Sequence, residues 1–147
     1  RKTTPGLRSL EKYAVRVGGG TNHRFNLADG ILIKDNHIKA AGGISNAVRM
    51  ARKLATHMLK IEVEVETFDQ IREALDCGAD IIMLDNMSIH NMKKAVSMIN
   101  GRAIVEASGN MGEKDLLEVA KTGVDIISIG ALTHSVTALD ITLKFDD

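Results

Sequence analysis

Several short apolar segments of this sequence are followed by residues that could bind or stabilise charged groups. A lysine ammonium can hold an anion, a carboxylate can hold a cation or a metal ion, and the free amides of a glycine-containing turn suit phosphate. Carboxyl ends of parallel strands converge on the ligand site in α/β proteins, so we expect these groups to share one edge of a sheet. Solvated loops are the alternative. The residues are Lys34, Asp85, Ser108, Gly109, Asn110 and Gly130.

Three glutamates alternate with valines in the segment Ile61–Glu66. Alternation with a period of two predicts a strand with Glu62, Glu64 and Glu66 on one face. Either this is an edge strand with a wet face, or the carboxylates point into the polar mouth of a barrel. Buried carboxylates need partners, and Lys34, Arg24 or the magnesium ion of a substrate could serve.

Two segments have the composition of a phosphate-binding loop. Ser108–Gly112 precedes a helix expected to begin near Glu113, and Gly130–Ser135 follows the last predicted strand. Unpaired amides and a helix N-terminus favour an anion. The last two βα loops often form the phosphate site of a barrel, so we expect a bound sulfate or phosphate around Ser108–Asn110 or near Gly130.

Positive side chains concentrate in the N-terminal part of the chain. Arg1 and Lys2 begin it, and His23 and Arg24 follow a run of three glycines. Arginine binds a carboxylate through two parallel hydrogen bonds, so this set could hold a planar dicarboxylate. An exposed basic segment with a flexible glycine loop is the other interpretation.

Apolar periodicity predicts an α/β chain with a parallel sheet. Runs of three to five residues rich in Ile and Val are typical of strands buried on both faces. The predicted strands are Ile31–Lys34, Ile61–Val65, Ile81–Leu84, Ala103–Val105 and Ile126–Ile129. The predicted helices between and before them are Leu7–Val17, Asn46–Met58, Phe68–Asp76, Ile89–Ile99 and Lys114–Lys121. Both a barrel and a doubly wound sheet fit this pattern.

Cap residues and a weak internal repeat support successive βα units. Thr67 with Gln70 indicates a capping box, and Ser88 an N-cap. The sequence Cys-Gly-Ala-Asp-Ile-Ile that begins at Cys77 resembles Thr-Gly-Val-Asp-Ile-Ile beginning at Thr122, with each glycine at an expected helix end.

Composition excludes several classes of protein. A length of 147 residues predicts one domain over residues 1–147, and 19 basic against 19 acidic residues give a net charge of zero, which argues against broad nucleic-acid binding. One cysteine excludes an internal disulfide framework and fits a reducing compartment, so we expect a cytoplasmic protein. No apolar run reaches the ~18 residues of a membrane span, and no secretion leader is visible.

Nine segments together resemble the quinolinate phosphoribosyltransferase family, also called nicotinate-nucleotide pyrophosphorylase (carboxylating). The segments that carry the resemblance are Arg1–Arg8, Glu11–Val15, Gly18–Gly20, Asn22–Arg24 and Leu32–Ile38, continued in the same order by Glu62–Glu66, Leu84–Asn86, Ser108–Gly109 and Gly130–Ser135. The resemblance covers essentially the whole chain. It implies an incomplete α/β barrel of a type II phosphoribosyltransferase, without the N-terminal sandwich domain and the start of the barrel.

The resemblance implies a reaction and a role for each matching residue. Quinolinate and phosphoribosyl pyrophosphate would give nicotinate mononucleotide, pyrophosphate and carbon dioxide in NAD biosynthesis, with Mg²⁺ required. The positions that hold quinolinate are matched by Arg1, Lys2, His23 and Arg24. The catalytic positions around the ribose, pyrophosphate and magnesium are matched by Lys34, Glu64 and Asp85, and the two carboxylates are the metal candidates. The phosphate positions are matched by Ser108, Gly109, Asn110 and Gly130, with His134 and Ser135 as weaker candidates. A homodimer is expected, with a neighbouring subunit completing the site.

Other functions are also compatible with these residues. Related proteins that use nicotinate, or that are linked to molybdenum transport, share the scaffold. Lys34 could in principle form a Schiff base, as in barrel aldolases. The chain could also be a non-catalytic fragment of the enzyme.

Overall fold

The computed structural model describes residues 1–145, and its internal contacts divide the chain into two compact units. Residues 1–22 and the segment from Gly130 onward form one unit, and residues 23–129 form the other. Residues 146 and 147, which the predicted domain includes, lie outside the described residues.

The larger unit is built on a parallel sheet of five strands. The strands are β1 (Ile31–Ile33), β2 (Ile61–Val65), β3 (Ile81–Asp85), β4 (Ile104–Ser108) and β5 (Ile126–Ile127). Each strand pairs in parallel with the next one along the chain, in the order β1-β2-β3-β4-β5. This order confirms the predicted parallel sheet, and the absence of a reversal in it favours a barrel wall over a doubly wound sheet.

Helices connect the strands of this unit. They are α2 (Asp35–Ala41), α3 (Ile44–Leu54), α4 (Phe68–Asp76), α5 (Ile89–Ile99) and α6 (Leu116–Ala120), with a single 3₁₀ turn at Met111–Glu113. The bounds predicted for α4 and α5 are confirmed. Thr67 forms its capping box with Gln70, and the Ser88 hydroxyl accepts from the Asn91 amide. Gly78 and Gly123 adopt φ values of 74° and 88°, as expected at helix ends.

One face of the sheet packs against these helices and forms the hydrophobic core. Val63, Val65, Ile82, Leu84 and Ala107 are all buried on this face. Side chains alternate between the two faces of a strand, so the residues between these core positions project from the opposite face. That opposite face carries the polar residues considered below.

The internal repeat has a structural cause. Asp80 precedes β3 and Asp125 precedes β5, and each pairs with an adjacent strand through its backbone and its side chain. The Ile61 amide donates to Asp80 Oδ2 at 2.8 Å and the Asp80 amide donates to the Ile61 carbonyl at 2.9 Å. Asp125 makes the same two bonds with Val105, at 2.8 and 2.9 Å. Each aspartate therefore closes the ladder at the start of a strand.

The smaller unit contains α1 (Arg8–Val17) and α7 (Ala131–His134). Leu10, Tyr13 and Val17 recur along α1 at helical spacing and are exposed. Between residues 136 and 145 the chain forms no helix or strand, and its apolar side chains are exposed as well. Within residues 1–145, none of the helices combines the length and the apolar character needed to cross a membrane.

Candidate active site

The sheet face opposite the core carries the glutamates of β2. In the register, Glu62 lies opposite Leu32 and Ile81, while Glu64 lies opposite Met83. Glu62 and Glu64 therefore share one face, and Val63 and Val65 pack in the core on the other. Because β2 pairs on both sides and Glu62 is buried, the edge-strand interpretation is wrong.

Glu66 departs from the predicted arrangement of three carboxylates on one strand face. β2 ends at Val65, and the Glu66 side chain is exposed. The Glu66 amide donates to Gln70 Oε1 at 2.7 Å, because the chain turns here into the capping box of α4. The capping box therefore ends the strand at Val65, one residue before the alternation of glutamates and valines ends in the sequence.

Three predicted site residues lie at the carboxyl edge of this sheet. Lys34 directly follows β1 and occupies the N-cap position of α2, whereas Asp85 and Ser108 are the last residues of β3 and β4. Asp85 and Ser108 are partners in the β3–β4 register. Since all strands run in the same direction, the three residues share an edge, as the sequence predicted. The sequence did not indicate that a helix, α2, begins at Asp35. At this helix start, a hydrogen bond from the backbone N–H of Asn36 lowers the pKa of the Asp35 carboxyl.

The loops after β3 and β4 meet in a close backbone approach. The Asn86 amide donates to the Ser108 carbonyl at 3.0 Å, and Asn86 Nδ2 donates to Asp85 Oδ2 at 3.0 Å. Gly109 has φ +85°, and a Cβ built there would lie 2.7 Å from the Asn86 backbone nitrogen. Asn110 also has a left-handed φ of 52°. Glycine at position 109 is thus required both by its φ and by the space available.

The segment after Asn110 corrects one prediction. A helix was expected to begin near Glu113, but only a 3₁₀ turn lies there and α6 begins at Leu116. Asp115 Oδ1 accepts from the amides of Leu117 and Glu118, so the first amides of α6 already have an anionic partner. The helix N-terminus expected directly after the Ser108–Gly112 loop therefore lies further along the chain, and its first amides are capped by Asp115.

Lys114 is a residue of this edge that sequence reasoning missed. Its Nζ donates to the carbonyls of Met87 and Gly109, each at 3.3 Å. The ammonium thus joins the loop after β3 to the loop after β4. No local motif marks it, because its two partners come from loops that are adjacent only in the folded sheet.

His23, which is partly exposed, and the two buried glutamates Glu62 and Glu106 form a cluster on the inner face. His23 Nε2 lies 2.8 Å from Glu62 Oε2 and 3.8 Å from Glu106 Oε2. Potential metal-ligand atoms of these three residues lie within 4.8 Å of one another, and this is the one such three-residue group in residues 1–145. Arg24, the next residue, donates from Nη1 to the Gly30 carbonyl at 2.8 Å.

The remaining predicted residues belong to the smaller unit. The Thr133 hydroxyl donates to the Lys2 carbonyl at 2.7 Å, so it joins the start of the chain to α7. Arg8 Nη1 donates to the Arg1 carbonyl at 3.4 Å. Gly130 precedes α7, and a Cβ there would lie 2.9 Å from His134 Nε2. The predicted site residues are thus divided, with Arg1, Lys2, Gly130 and the weaker candidates His134 and Ser135 in this unit and the others in the larger one.

A depression at the amino-terminal edge of the sheet has a structural explanation. Lys60, Asp80, Arg102 and Asp125 line it. Both carboxylates already accept strand amides, so the candidate chemistry remains at the opposite, carboxyl edge.

Comparison with known proteins places these features in a family. Residues 1–144 match the model of the quinolinate phosphoribosyl transferase C-terminal domain. The chain belongs to that family. It is 54% identical over 143 residues to the probable nicotinate-nucleotide pyrophosphorylase (carboxylating) of Bacillus subtilis, across 97% of this chain and 50% of that protein. The protein of the same name from Methanocaldococcus jannaschii is 49% identical, with 97% and 53% covered.

Solved structures agree with this assignment. The nicotinate-nucleotide pyrophosphorylase of Francisella tularensis superimposes with a TM-score of 0.89 at 49% identity, over 95% of this chain and 50% of that one. The chain therefore spans about half the length of the relatives it matches. The family fold confirms an α/β chain with the parallel strands of an incomplete barrel.

Proposed function

We propose that this chain is the barrel portion of a quinolinate phosphoribosyltransferase of NAD biosynthesis. The observation that carries the proposal is the polar edge and inner face of the sheet, where Lys34, Glu64, Asp85 and Ser108 occur together in a member of this family. Phosphoribosyl pyrophosphate and quinolinate would react to nicotinate mononucleotide, pyrophosphate and carbon dioxide. The active form is the full-length protein, since the chain covers half of its relatives.

The carboxylates support the first half of the reaction. As pyrophosphate leaves, positive charge develops on the anomeric carbon of the ribose, and the ring nitrogen of quinolinate forms the new bond there. Glu64 and Asp85 lie on the same face of neighbouring strands and can stabilise that charge. Lys34 at the same edge can neutralise the leaving pyrophosphate. The Ser108–Asn110 backbone and Gly130 are the proposed phosphate contacts.

The second half needs little from the protein beyond positioning. The carbon–carboxylate bond breaks, carbon dioxide leaves, and the electron pair stays on the ring carbon until that carbon takes up a proton. The positive charge of the adjacent, ribosylated ring nitrogen stabilises that electron pair, so no general base is required. We assign binding of the quinolinate carboxylates to Arg1, Lys2, His23 and Arg24. Holding two polyanions in register can supply several kcal/mol.

Glu64 and Asp85 fit a magnesium ion. Mg²⁺ prefers hard oxygen ligands and is usually held by one or two carboxylates together with substrate phosphates. Two carboxylates, half-buried on one face of adjacent strands, provide that donor set. When bound, the ion would neutralise pyrophosphate charge as the bond to the ribose breaks.

Assembly and location complete the proposal. We infer a homodimer in which a neighbouring subunit completes the site, supported by the exposed apolar stripe of Leu10, Tyr13 and Val17 on α1. We also infer a cytoplasmic location, supported by the single cysteine. Light scattering and cell fractionation test these two inferences.

The decisive experiment offers quinolinate and nicotinate separately to the full-length protein, with phosphoribosyl pyrophosphate and Mg²⁺. Carbon dioxide release and nicotinate mononucleotide formation are measured. Four basic groups facing one carboxylate instead of two would leave charge unpaired, at a cost of about 1–3 kcal/mol, so quinolinate should be preferred at least ~10-fold in kcat/KM. Equal use of nicotinate would favour a related transferase.

Two variants and one control test the assigned roles. Glu64→Gln should lower kcat strongly and change the free energy of unfolding little. The control Glu66→Gln, which removes an exposed charge from the same segment, should leave both kcat and the free energy of unfolding unchanged. Arg24→Ala should reduce both activity and the preference for quinolinate. Unaltered turnover in Glu64→Gln, or an unaltered preference in Arg24→Ala, would contradict the corresponding role.

A further inference from the structure

Two carboxylates in the interior of the larger unit have no role in the reaction as proposed. Glu62 in β2 and Glu106 in β4 are only 4% and 2% exposed. On the strand between them, the residues facing the same side are Ile81 and Met83. Burying a carboxylate in apolar surroundings costs several kcal/mol unless a partner compensates. The two carboxylates therefore require a neighbouring side chain that is positively charged or that can donate a hydrogen bond.

His23 is one such partner, and its contact with Glu62 fixes one of its two ring nitrogens. The 2.8 Å distance from Nε2 to Glu62 Oε2 is a hydrogen-bond distance, with Nε2–H donating to the carboxylate. Glu106 Oε2, at 3.8 Å, places a second negative charge beside the same nitrogen. The hydrogen bond at one ring nitrogen determines which nitrogens of a histidine carry protons.

The other ring nitrogen of His23 is buried and lacks a partner. No hydrogen-bond partner reaches His23 Nδ1 from any residue between 1 and 145. An unsatisfied buried polar atom is costly in a folded protein. A ring that donates from both nitrogens is cationic, and two neighbouring carboxylates supply the opposite charge. Such a ring can offer Nδ1–H to a third anionic group.

We propose that Glu62 and Glu106 are positioning residues that hold the His23 ring, with Nε2–H turned toward them, so that Nδ1–H binds a carboxylate of the substrate acid. This inference rests on the proposed function and deepens it, because it explains how one substrate contact is oriented. Glu62 acts through the hydrogen bond, and Glu106 through charge at longer range. Neither residue touches the substrate.

The first test reads the His23 ring directly, independently of turnover. The full-length protein is labelled with ¹⁵N-histidine, and the ring signals are assigned by their loss in His23→Asn. A slowly exchanging Nε2–H signal is expected in the wild type and in the exposed control Glu66→Gln. It should persist, shifted, in Glu62→Gln, which keeps an acceptor, and be lost in Glu62→Met, which has none. An unchanged signal in Glu62→Met would overturn the proposal.

The second test separates positioning from a merely structural role. Glu62→Met should raise KM for quinolinate at least tenfold, and Glu62→Gln and Glu106→Gln should raise it less, while KM for phosphoribosyl pyrophosphate stays within twofold. In a His23→Asn background, Glu62→Met should add less than twofold to the quinolinate KM. An undiminished effect in that background, or an equal rise for both substrates, would refute action through His23. Glu106→Gln keeps the test available if Glu62→Met does not fold.

A metal ion is the competing explanation of this cluster, and Mn²⁺ alone tests it. Paramagnetic loss of the His23 ring signals at low Mn²⁺, abolished by Glu62→Met, would show a metal site and overturn the positioning role. Unaffected His23 signals would support it. A wild-type protein that forms no nicotinate mononucleotide from quinolinate would refute the proposed function, while the ring signals would still decide the His23–Glu62 contact.

Discussion

Replacing Gly109 with alanine should destabilise the carboxyl edge of the sheet more than any other single methyl group added to a glycine of the larger unit. The residue has φ +85°, where a side chain costs about 1–2 kcal/mol. The new Cβ would also clash with Asn86 Oδ1 and would lie 2.7 Å from the Asn86 backbone nitrogen. Rotation of the Asn86 side chain can relieve the first clash but not the second.

Relief of the backbone clash requires the two loops to separate. The Asn86 amide donates to the Ser108 carbonyl at 3.0 Å, so separation strains the hydrogen bond that joins the ends of β3 and β4. Overpacking of this kind typically costs 1–3 kcal/mol, so the total loss should be about 2–5 kcal/mol. Because Asp85 and Ser108 are register partners at this point, activity should fall as well.

Gly78→Ala is the matched control for this change. Gly78 has φ +74°, but a Cβ there meets no atom within 4 Å. It isolates the conformational cost, which should be about 1–2 kcal/mol. Free energies of unfolding are measured by urea denaturation followed by far-UV circular dichroism. If Gly109→Ala is no more destabilised than Gly78→Ala, the argument from close approach is wrong.

Three further expectations concern other parts of the chain. Asp125→Ala removes the side-chain acceptor of the Val105 amide and should lower the free energy of unfolding by about 1–3 kcal/mol. Its control, Asp76→Ala, changes an exposed residue and should alter the free energy of unfolding by at most about 0.5 kcal/mol. Equal effects of the two variants in urea denaturation would contradict this expectation. Burial raises the pKa of the Cys77 thiol. At pH 8 the native protein should therefore contain less Cys77 thiolate than the urea-unfolded chain, and should react more slowly with a disulfide reagent. Equal reaction rates would contradict the raised pKa. Sulfate or phosphate in a crystal should bind the amides of Ser108–Asn110 or the region of Gly130, and an anion found only at helix C-termini would oppose the proposed phosphate contacts.

The strands and the middle helices were predictable because their signals are local. Runs of Ile and Val indicated all five strands, with the bounds of β2 correct and errors of at most three residues at the ends of the others. Thr67, Ser88 and Gly78 indicated the limits of α4 and α5, since a cap side chain or a left-handed glycine specifies where a helix begins or ends.

Other elements were mispredicted where polar contacts outweighed apolar periodicity. Helix α2 begins with Asp35, Asn36 and His37, which show no apolar face, and His37 Nδ1 instead accepts from the Lys34 amide at 2.9 Å. The start of α6 was misplaced although Asp115 was available as an N-cap signal. In both cases a side chain that satisfies a backbone amide determines the boundary.

The candidate site was predictable at the strand ends but not in its interior. Lys34, Asp85 and Ser108 could be grouped because parallel strands align their carboxyl ends. The contact of His23 with Glu62 and Glu106 joins residues separated by 39 and 83 positions, and no spacing rule connects them. The same limit applies to Lys114, whose two carbonyl partners lie in different loops.

The hydrophobic and functional patterns of this sheet constrain each other. A shift of one residue in β2 would move Val63 and Val65 from the core to the inner face and would place Glu62 and Glu64 among helices. The apolar residues therefore determine the register, and the register determines where the carboxylates lie. Exchanging Val63 and Glu64 in a double variant would conserve composition while reversing both patterns. Such a variant should fail to fold, which distinguishes a site built into the sheet from one attached to it by loops.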